Sequence, residues 1–261
     1  MDFGLTGKTA LVLGAGGGLG GAISRSLAAE GVRVAAADIA LDAVEATVAD
    51  IKSTGGEAKA LAWDLADLGS IAGHVEAIER DLGPVDILVN NTGGPKPAPV
   101  AGQDIELWSQ QFQAMVLSVI AITDHILPAM RERKWGRVIT SASSGVISPI
   151  PNLGLSNSLR STLVGWSKTL AREVAADGIT CNILVPGRIA TNRILYLDEQ
   201  KAKRENRTLE DVARESCSAI PAGRYGDPAE YGATASFLAS NQASYITGSI
   251  VRVDGGYIAN V

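Results

Sequence analysis

Short apolar runs alternate with helix-length stretches along the whole chain. The runs are Thr9–Leu13, Arg33–Ala37, Ala58–Ala62, Val85–Val89, Arg137–Ser141, Thr180–Val185 and Ile250–Val253. Between them lie Leu19–Glu30, Leu41–Thr54, Leu68–Leu82, Ile105–Arg133, Leu155–Ala176 and Ala229–Ser240, each with apolar residues at helical spacing. A strand that is apolar on both faces must be covered on both faces. A strand followed by a helix returns the chain to its starting end, so the next strand runs parallel. The pattern therefore predicts an α/β fold, doubly wound, with right-handed crossovers. Gly31, Gly55, Gly83 and Gly178 stand where the helices should stop.

Composition narrows the function. Of 261 residues, 46% are apolar and 20% charged, which suits a packed globule. A net charge of −5 argues against nucleic acid or an anionic membrane as partner. No uninterrupted apolar run reaches membrane-spanning length, and the N-terminus lacks the pattern of a secretory signal. The two cysteines, Cys181 and Cys217, read as reduced thiols of a cytoplasmic protein. His74 and His125 lack partners at metal-ligand spacing, so no metal site is expected. Both fall within helices and read as structural or surface residues. One domain over 1–261 accommodates the pattern. Only the stretch from Arg188 to Ala222 breaks the rhythm: polar and charged, it follows the sixth strand, where lids form.

The first strand runs into Gly14-x-x-x-Gly18-x-Gly20, which opens a helix. Glycines there allow a tight turn and a close approach of backbone amides to a diphosphate, and the helix N-terminus adds its positive end. A second register, Gly16-x-Gly18-x-x-Gly21, also fits the dinucleotide fingerprint, but Gly14 directly ends the strand. Asp38 follows the second strand, and its carboxylate can accept both hydroxyls of an adenosine ribose while repelling a 2′-phosphate. No Lys or Arg lies in the loop or directly after Asp38. These residues predict a Rossmann-type domain that prefers NAD over NADP.

With these elements in place, the chain resembles the short-chain dehydrogenase/reductase family over nearly its whole length. The resemblance rests on the glycine loop, Asp38, Asp64-Leu65, Asn90-Asn91-Thr92-Gly93, Gly136-Arg137-Val138-Ile139, Asn182 to Pro186-Gly187 with Thr191, and Tyr245 to Gly256. Its closest look is to 3-oxoacyl-acyl-carrier-protein reductases. It implies a seven-stranded parallel sheet of order 3-2-1-4-5-6-7. It further implies that Gly14, Gly18, Leu19 and Gly20 cradle the cofactor, that Asp64 and Leu65 flank adenine, and that Asn91 and Gly93 line the ribose. Pro186, Gly187, Ile189 and Thr191 would lie beside the nicotinamide end. A small-molecule substrate and a homo-oligomer, tetramer or dimer, are also implied, with the long helices forming one interface and the last strand another.

The catalytic half departs from the family. Its members carry Asn, Ser, Tyr and Lys, the last two as Tyr-x-x-x-Lys, in which the ammonium favours the phenolate. Here Ser143 matches the serine, Ser156 holds the Tyr position, Arg160 the Lys position and Met115 the Asn position. No tyrosine precedes Tyr196. Ser156 can donate a hydrogen bond but is a poor acid. Arg160 keeps its proton and offers a donor fork for a carboxylate, a phosphate or a ribose. Tyr196 and Lys96 are candidate replacement donors; Trp108 and Trp166 read as packing residues. The leading expectation is an NAD-dependent oxidoreductase with an altered proton path, its catalytic residues Ser143, Ser156 and Arg160. A nucleotide-binding protein without turnover is the alternative. Non-redox chemistry akin to halohydrin dehalogenases is a third, although those keep the tyrosine and lose the glycine loop.

Overall fold

A computed structural model describes residues 2–260. Its strands are β1 (Thr9–Leu13), β2 (Arg33–Asp38), β3 (Ala58–Ala62), β4 (Ile87–Asn90), β5 (Gly136–Ser141), β6 (Ile179–Pro186) and β7 (Ile250–Val253). They form one sheet in the order β3-β2-β1-β4-β5-β6-β7, as expected, and every neighbouring pair is parallel. The helices are α1 (Gly18–Ala29), α2 (Leu41–Ser53), α3 (Ile71–Leu82), α4 (Ile105–Phe112), α5 (Ser118–Glu132), α6 (Gly154–Val174), α7 (Asn192–Glu205), α8 (Leu209–Ser218) and α9 (Pro228–Ala239).

The alternation of β1 shows why both faces are covered. Ala10 and Val12 join one apolar cluster with Ile23 and Leu27 of α1, Val44 and Val48 of α2, and Tyr231 and Leu238 of α9. Leu11 and Leu13 join the opposite cluster with Val75 and Ile78 of α3, Ile122 and Ile126 of α5, and Leu170 and Val174 of α6. Successive side chains of a strand point to opposite faces, so an all-apolar strand needs two layers of helix. Helices α1 and α9 approach closely: a Cβ on Gly232 would lie 2.6 Å from the Ala22 carbonyl oxygen. The four expected stop glycines all have positive φ, and at Gly178 a Cβ would also meet the Lys134 carbonyl at 2.2 Å.

One element expectation needs correcting. The stretch 105–133 is not one regular helix: a π-helical turn, Gln113–Leu117, separates α4 from α5. Apolar spacing does not register such a turn, because the face is preserved while one backbone step is added. The charged stretch after β6, expected as a lid insertion, is largely helical. It folds into α7 and α8, whose first turns are closed by Thr191 Oγ1 accepting from the Ile194 amide and Thr208 Oγ1 accepting from the Asp211 amide. The helical stretch Ile105–Glu132 is long and apolar enough to cross a membrane, yet α5 within it lays Val119, Ile122, Ile126 and Met130 against the core.

Candidate functional site

All seven strands end on the same side, and there the chain encloses a cavity of about 580 Å³. It straddles β1 and β4, where the chain direction across the sheet reverses, which is where open α/β sheets form their crevice. Every sequence-predicted site residue except Gly20 lines it. Gly20 is buried beneath the loop, and a Cβ there would lie 2.1 Å from the Gly14 carbonyl oxygen. Its role is to let α1 pack under the turn.

At one end of the cavity the glycine loop leaves β1. Gly14 has φ +62°, and a Cβ there would collide with the Asn91 carbonyl oxygen at 2.5 Å. The Asn91 side-chain amide donates to the Leu13 and Gly14 carbonyls, tying the turn after β4 to the turn after β1. Helix α1 begins with no side-chain cap, so its first amides are free of protein acceptors on the cavity side. Gly18 faces Thr191 so closely that a Cβ would sit 2.5 Å from the threonine methyl. Asp38 ends β2: one carboxylate oxygen accepts from the Gly16 amide at 3.1 Å and the other from the Ala40 amide at 3.1 Å. It thus shapes the loop and the start of α2 while lining the cavity. Ile39, next to it, is 70% exposed, and no Lys or Arg lines this end.

Trp63, Asp64 and Leu65 follow β3. Trp63 stacks on His74 at 4.4 Å between ring centroids, which gives that histidine its structural role, and burial holds the His74 pKa below its usual value. His125 is exposed on α5. Trp108 and Trp166 pack against the cluster of Met115, Leu155 and Leu163.

The opposite end gathers Ser143, Ser156, Arg160, Met115, Arg193 and Tyr257. Ser143 Oγ accepts from the Gly145 amide at 3.1 Å, leaving its proton free to point into the cavity. Ser156, on the first turn of α6, is 7% exposed. Arg160, one turn further, is 8% exposed, and the expected free fork is not available. One terminal nitrogen donates to the Thr92 carbonyl at 3.0 Å and the Gly93 carbonyl at 2.7 Å; the other donates to the Ser141 carbonyl at 3.3 Å. The guanidinium is a brace between the turns after β4 and β5. Burial pushes its pKa down to about 10, with Arg193 acting in the same direction, so it remains charged near neutrality. Beneath it, Tyr231 is fully buried and shares a 2.8 Å hydrogen bond with Ser141 Oγ.

Neither candidate replacement donor lines the cavity. Tyr196 packs under Arg193, 5.8 Å from ring centroid to guanidinium carbon, and Lys96 lies outside the lining. Tyr257, directly after the Gly255-Gly256 pair, does line it, and sequence reasoning missed it. The only available signal was a phenol just beyond a turn at the end of β7. Half-buried Arg188 forms an ion pair with buried Asp198, and the Tyr225 hydroxyl donates to Asp198 at 2.7 Å. This trio fastens α7 to the end of β6. Among the described residues no cluster of His, Cys, Asp or Glu could hold a metal ion.

A family model described as enoyl-(acyl carrier protein) reductase matches residues 14–258. The 3-oxoacyl-[acyl-carrier-protein] reductase of Escherichia coli (strain K12) is 36% identical over 253 residues, covering 96% of this chain and 97% of that protein. Nodulation protein G of Azospirillum brasilense is 34% identical, covering 95% and 97%. Among solved structures, L-sorbose reductase from Gluconobacter frateurii, complexed with NADPH and L-sorbose, superposes with a TM-score of 0.93 at 28% identity, with both chains fully covered. An NAD+-bound xylitol dehydrogenase superposes with a TM-score of 0.89 at 27% identity, covering 97% of this chain and 99% of that one. Sheet order, crevice and sequence agree: the chain belongs to the short-chain dehydrogenase/reductase family of NAD(P)-dependent oxidoreductases.

Proposed function

We propose that this protein is an NAD-dependent oxidoreductase that interconverts a hydroxyl and a carbonyl on a small molecule, with a proton path of its own. The observation that carries the reading is the continuous cavity from Asp38 to Ser143, with uncapped α1 at its middle. The residues fit a dinucleotide. A Cβ at Gly14 would strike Asn91 and one at Gly18 would strike Thr191, so only glycines keep this turn closed, and the free amides at the start of α1 suit a diphosphate. Asp38 would hold the adenosine ribose. With Ile39 beside it and no cation at that end, a 2′-phosphate would meet a carboxylate and nothing to pair with. The NADPH-bound relatives set the opposing expectation, so the cofactor choice turns on Asp38.

When bound, the nicotinamide supplies or accepts the hydride. The chain's own residues must orient the substrate oxygen and move its proton. Ser143 donates a hydrogen bond to that oxygen. Ser156 stands where the family places its phenol, but an alcohol is too weak an acid to replace one. Tyr257 offers a phenol in the lining of the same cavity, packed with Ala142, Val146 and Ile147 beside Ser143. Arg160 braces the floor and contributes positive potential without transferring a proton. Helices α7 and α8 act as the lid within one domain. The protein works as a homo-oligomer, tetramer or dimer, on a small-molecule substrate in the cytoplasm, and its cysteines stay reduced.

A second reading, nucleotide binding without turnover, draws on the engagement of Arg160 by backbone carbonyls. One experiment separates the two. NAD, NADH, NADP and NADPH are titrated by calorimetry. Reduced-nicotinamide absorbance is then followed across a panel of ketones, keto acids and polyols. The proposal expects tighter NAD(H) binding and turnover of at least one panel member. NADP(H) binding tighter than NAD(H) would refute the cofactor assignment. Binding without any hydride transfer would favour the second reading.

A further inference from the structure

The reacting end of the cavity carries positive charge that no acidic side chain among the described residues pairs with. Arg160 and Arg193 converge there: a Cβ on Gly94 would lie 3.4 Å from Arg193 Nη2 and 3.6 Å from Arg160 Nη2. Arg160 meets only neutral carbonyls. Arg193 reaches across the crevice from α7 and donates to the Pro95 carbonyl at 2.9 Å, and it forms no ion pair among the described residues. Most other lid cations are paired, Lys203 being a second exception among the described residues, but Lys203 does not line the cavity. Arg188 pairs with Asp198, Lys201 with Glu215, Arg204 with Glu205, and Arg207 with Glu205 and Glu215. The only acids lining the cavity, Asp38 and Asp64, follow β2 and β3, away from the serines.

Arg193 also sits where a cation is disfavoured. It is the second residue of α7, at the positive end of a 14-residue helix with no acid in its first turn. Thr191 Oγ1 caps only the Ile194 amide, leaving the amides of Asn192 and Arg193 unspent. A buried guanidinium, a solvent-exposed one converging on it and a helix N-terminus, without a counter-ion among the described residues, make this end of the cavity favourable to an anion. The diphosphate of a dinucleotide already has its cradle at Gly14–Gly18. Gly94, Arg160 and Arg193 line the same cavity as Ser143 and Tyr257.

We propose that the substrate is an anion, a carboxylate or phosphate ester whose charged group is held by Arg193 against the start of α7, with Arg160 supplying potential from below. This rests on the redox reading for the word substrate, but the anion subsite can be tested without it. Malonate, inorganic phosphate and the neutral control malonamide are titrated by calorimetry against the wild-type protein, Arg193→Met and Arg193→Lys. Each titration is run with and without saturating NAD. Malonate or phosphate should bind the wild type, and malonamide should bind at least tenfold more weakly. Arg193→Met should weaken the anion about tenfold or more, Arg193→Lys should recover part of it, and the NAD dissociation constant should stay within threefold. Equal binding of malonate and malonamide, or anion binding unchanged in Arg193→Met, would overturn the proposal. So would a tenfold loss of NAD affinity in Arg193→Met with no anion binding, which would give Arg193 to the cofactor diphosphate. Absence of NAD binding with anion binding intact would remove the redox reading alone.

Discussion

At the scale of single residues, the substitution at position 160 changes what the position does. A lysine there would place one ammonium beside the ribose and the phenol of a typical family member. The arginine instead spends its donors on three carbonyls, those of Thr92, Gly93 and Ser141. A buried carbonyl left without a donor costs about 1–3 kcal/mol. Arg160→Met should therefore destabilise by about 3 kcal/mol and lower the melting temperature by roughly 6–12 °C. Arg160→Lys should lose less, because an ammonium can still serve part of the set. A melt of Arg160→Met unchanged within 2 °C or so would remove the brace from the argument. Tyr257 gives the complementary test. Among the described residues its hydroxyl makes no hydrogen bond, so Tyr257→Phe should leave the melt in place while kcat falls about 10²-fold or more. Ser156→Ala should cost much less. The reverse order would return the proton to Ser156. The identities at 156 and 160 were plain in the sequence. The direction of the Arg160 fork and the arrival of Tyr257 were not, because both depend on how distant strand ends meet.

At the scale of elements, strands and most helices were legible because each needs only a local period. The lid was not. Helices α7 and α8 carry few buried residues, Asp198 and Ala202 on one and Val212 and Ser216 on the other, so there is little apolar stripe to see. What holds them is polar. Asp198 is the hub, accepting from Arg188 and from the Tyr225 hydroxyl. Asp198→Ala should cost roughly 2–3 kcal/mol locally, at the low end for a buried pair because the Arg188 side chain stays 21% exposed. Protease cleavage and hydrogen exchange should rise within 192–218 while β1 and β4 stay protected. Uniform loss of protection would show that the lid is not a separate unit. Between the two helices, Glu215 accepts from Lys201 and forms an ion pair with Arg207. Those cations hold its pKa at about 2, below the ordinary 4.5. A depressed carboxylate stabilises above its ordinary pKa and loses that contribution as pH falls toward the depressed value. The α7–α8 tie should thus loosen between about pH 4.5 and 2, and high salt should mimic part of the loss at neutral pH. Limited proteolysis at graded pH reads this directly; a lid equally protected at both ends of the range would contradict it.

At the scale of the molecule, one sheet carries everything. The cavity draws a turn from the end of every strand, so a ligand filling it ties together both halves of the sheet and the lid. That coupling was foreseeable before the structure: alternation and handedness predict a doubly wound sheet, the family resemblance implies its strand order, and the crevice follows from that order. It also makes global stability a reporter of the cofactor. A ligand that binds only the folded chain at 100 times its dissociation constant adds about 2.7 kcal/mol. For a chain of 261 residues this should raise the melting temperature by roughly 5–10 °C. The upward shift requires no turnover and no known substrate. NAD and NADP at equal concentration should differ, since the Asp38 carboxylate already lies within 3.1 Å of the Gly16 and Ala40 amides and has no cation to share with a 2′-phosphate. NAD should give the larger shift. In Asp38→Ser with Ile39→Arg, the carboxylate is gone and a guanidinium takes the exposed position beside it, so the order should invert. If NADP already gives the larger shift in the unaltered protein, Asp38 serves only the glycine loop and the start of α2, and the cofactor is the phosphorylated one.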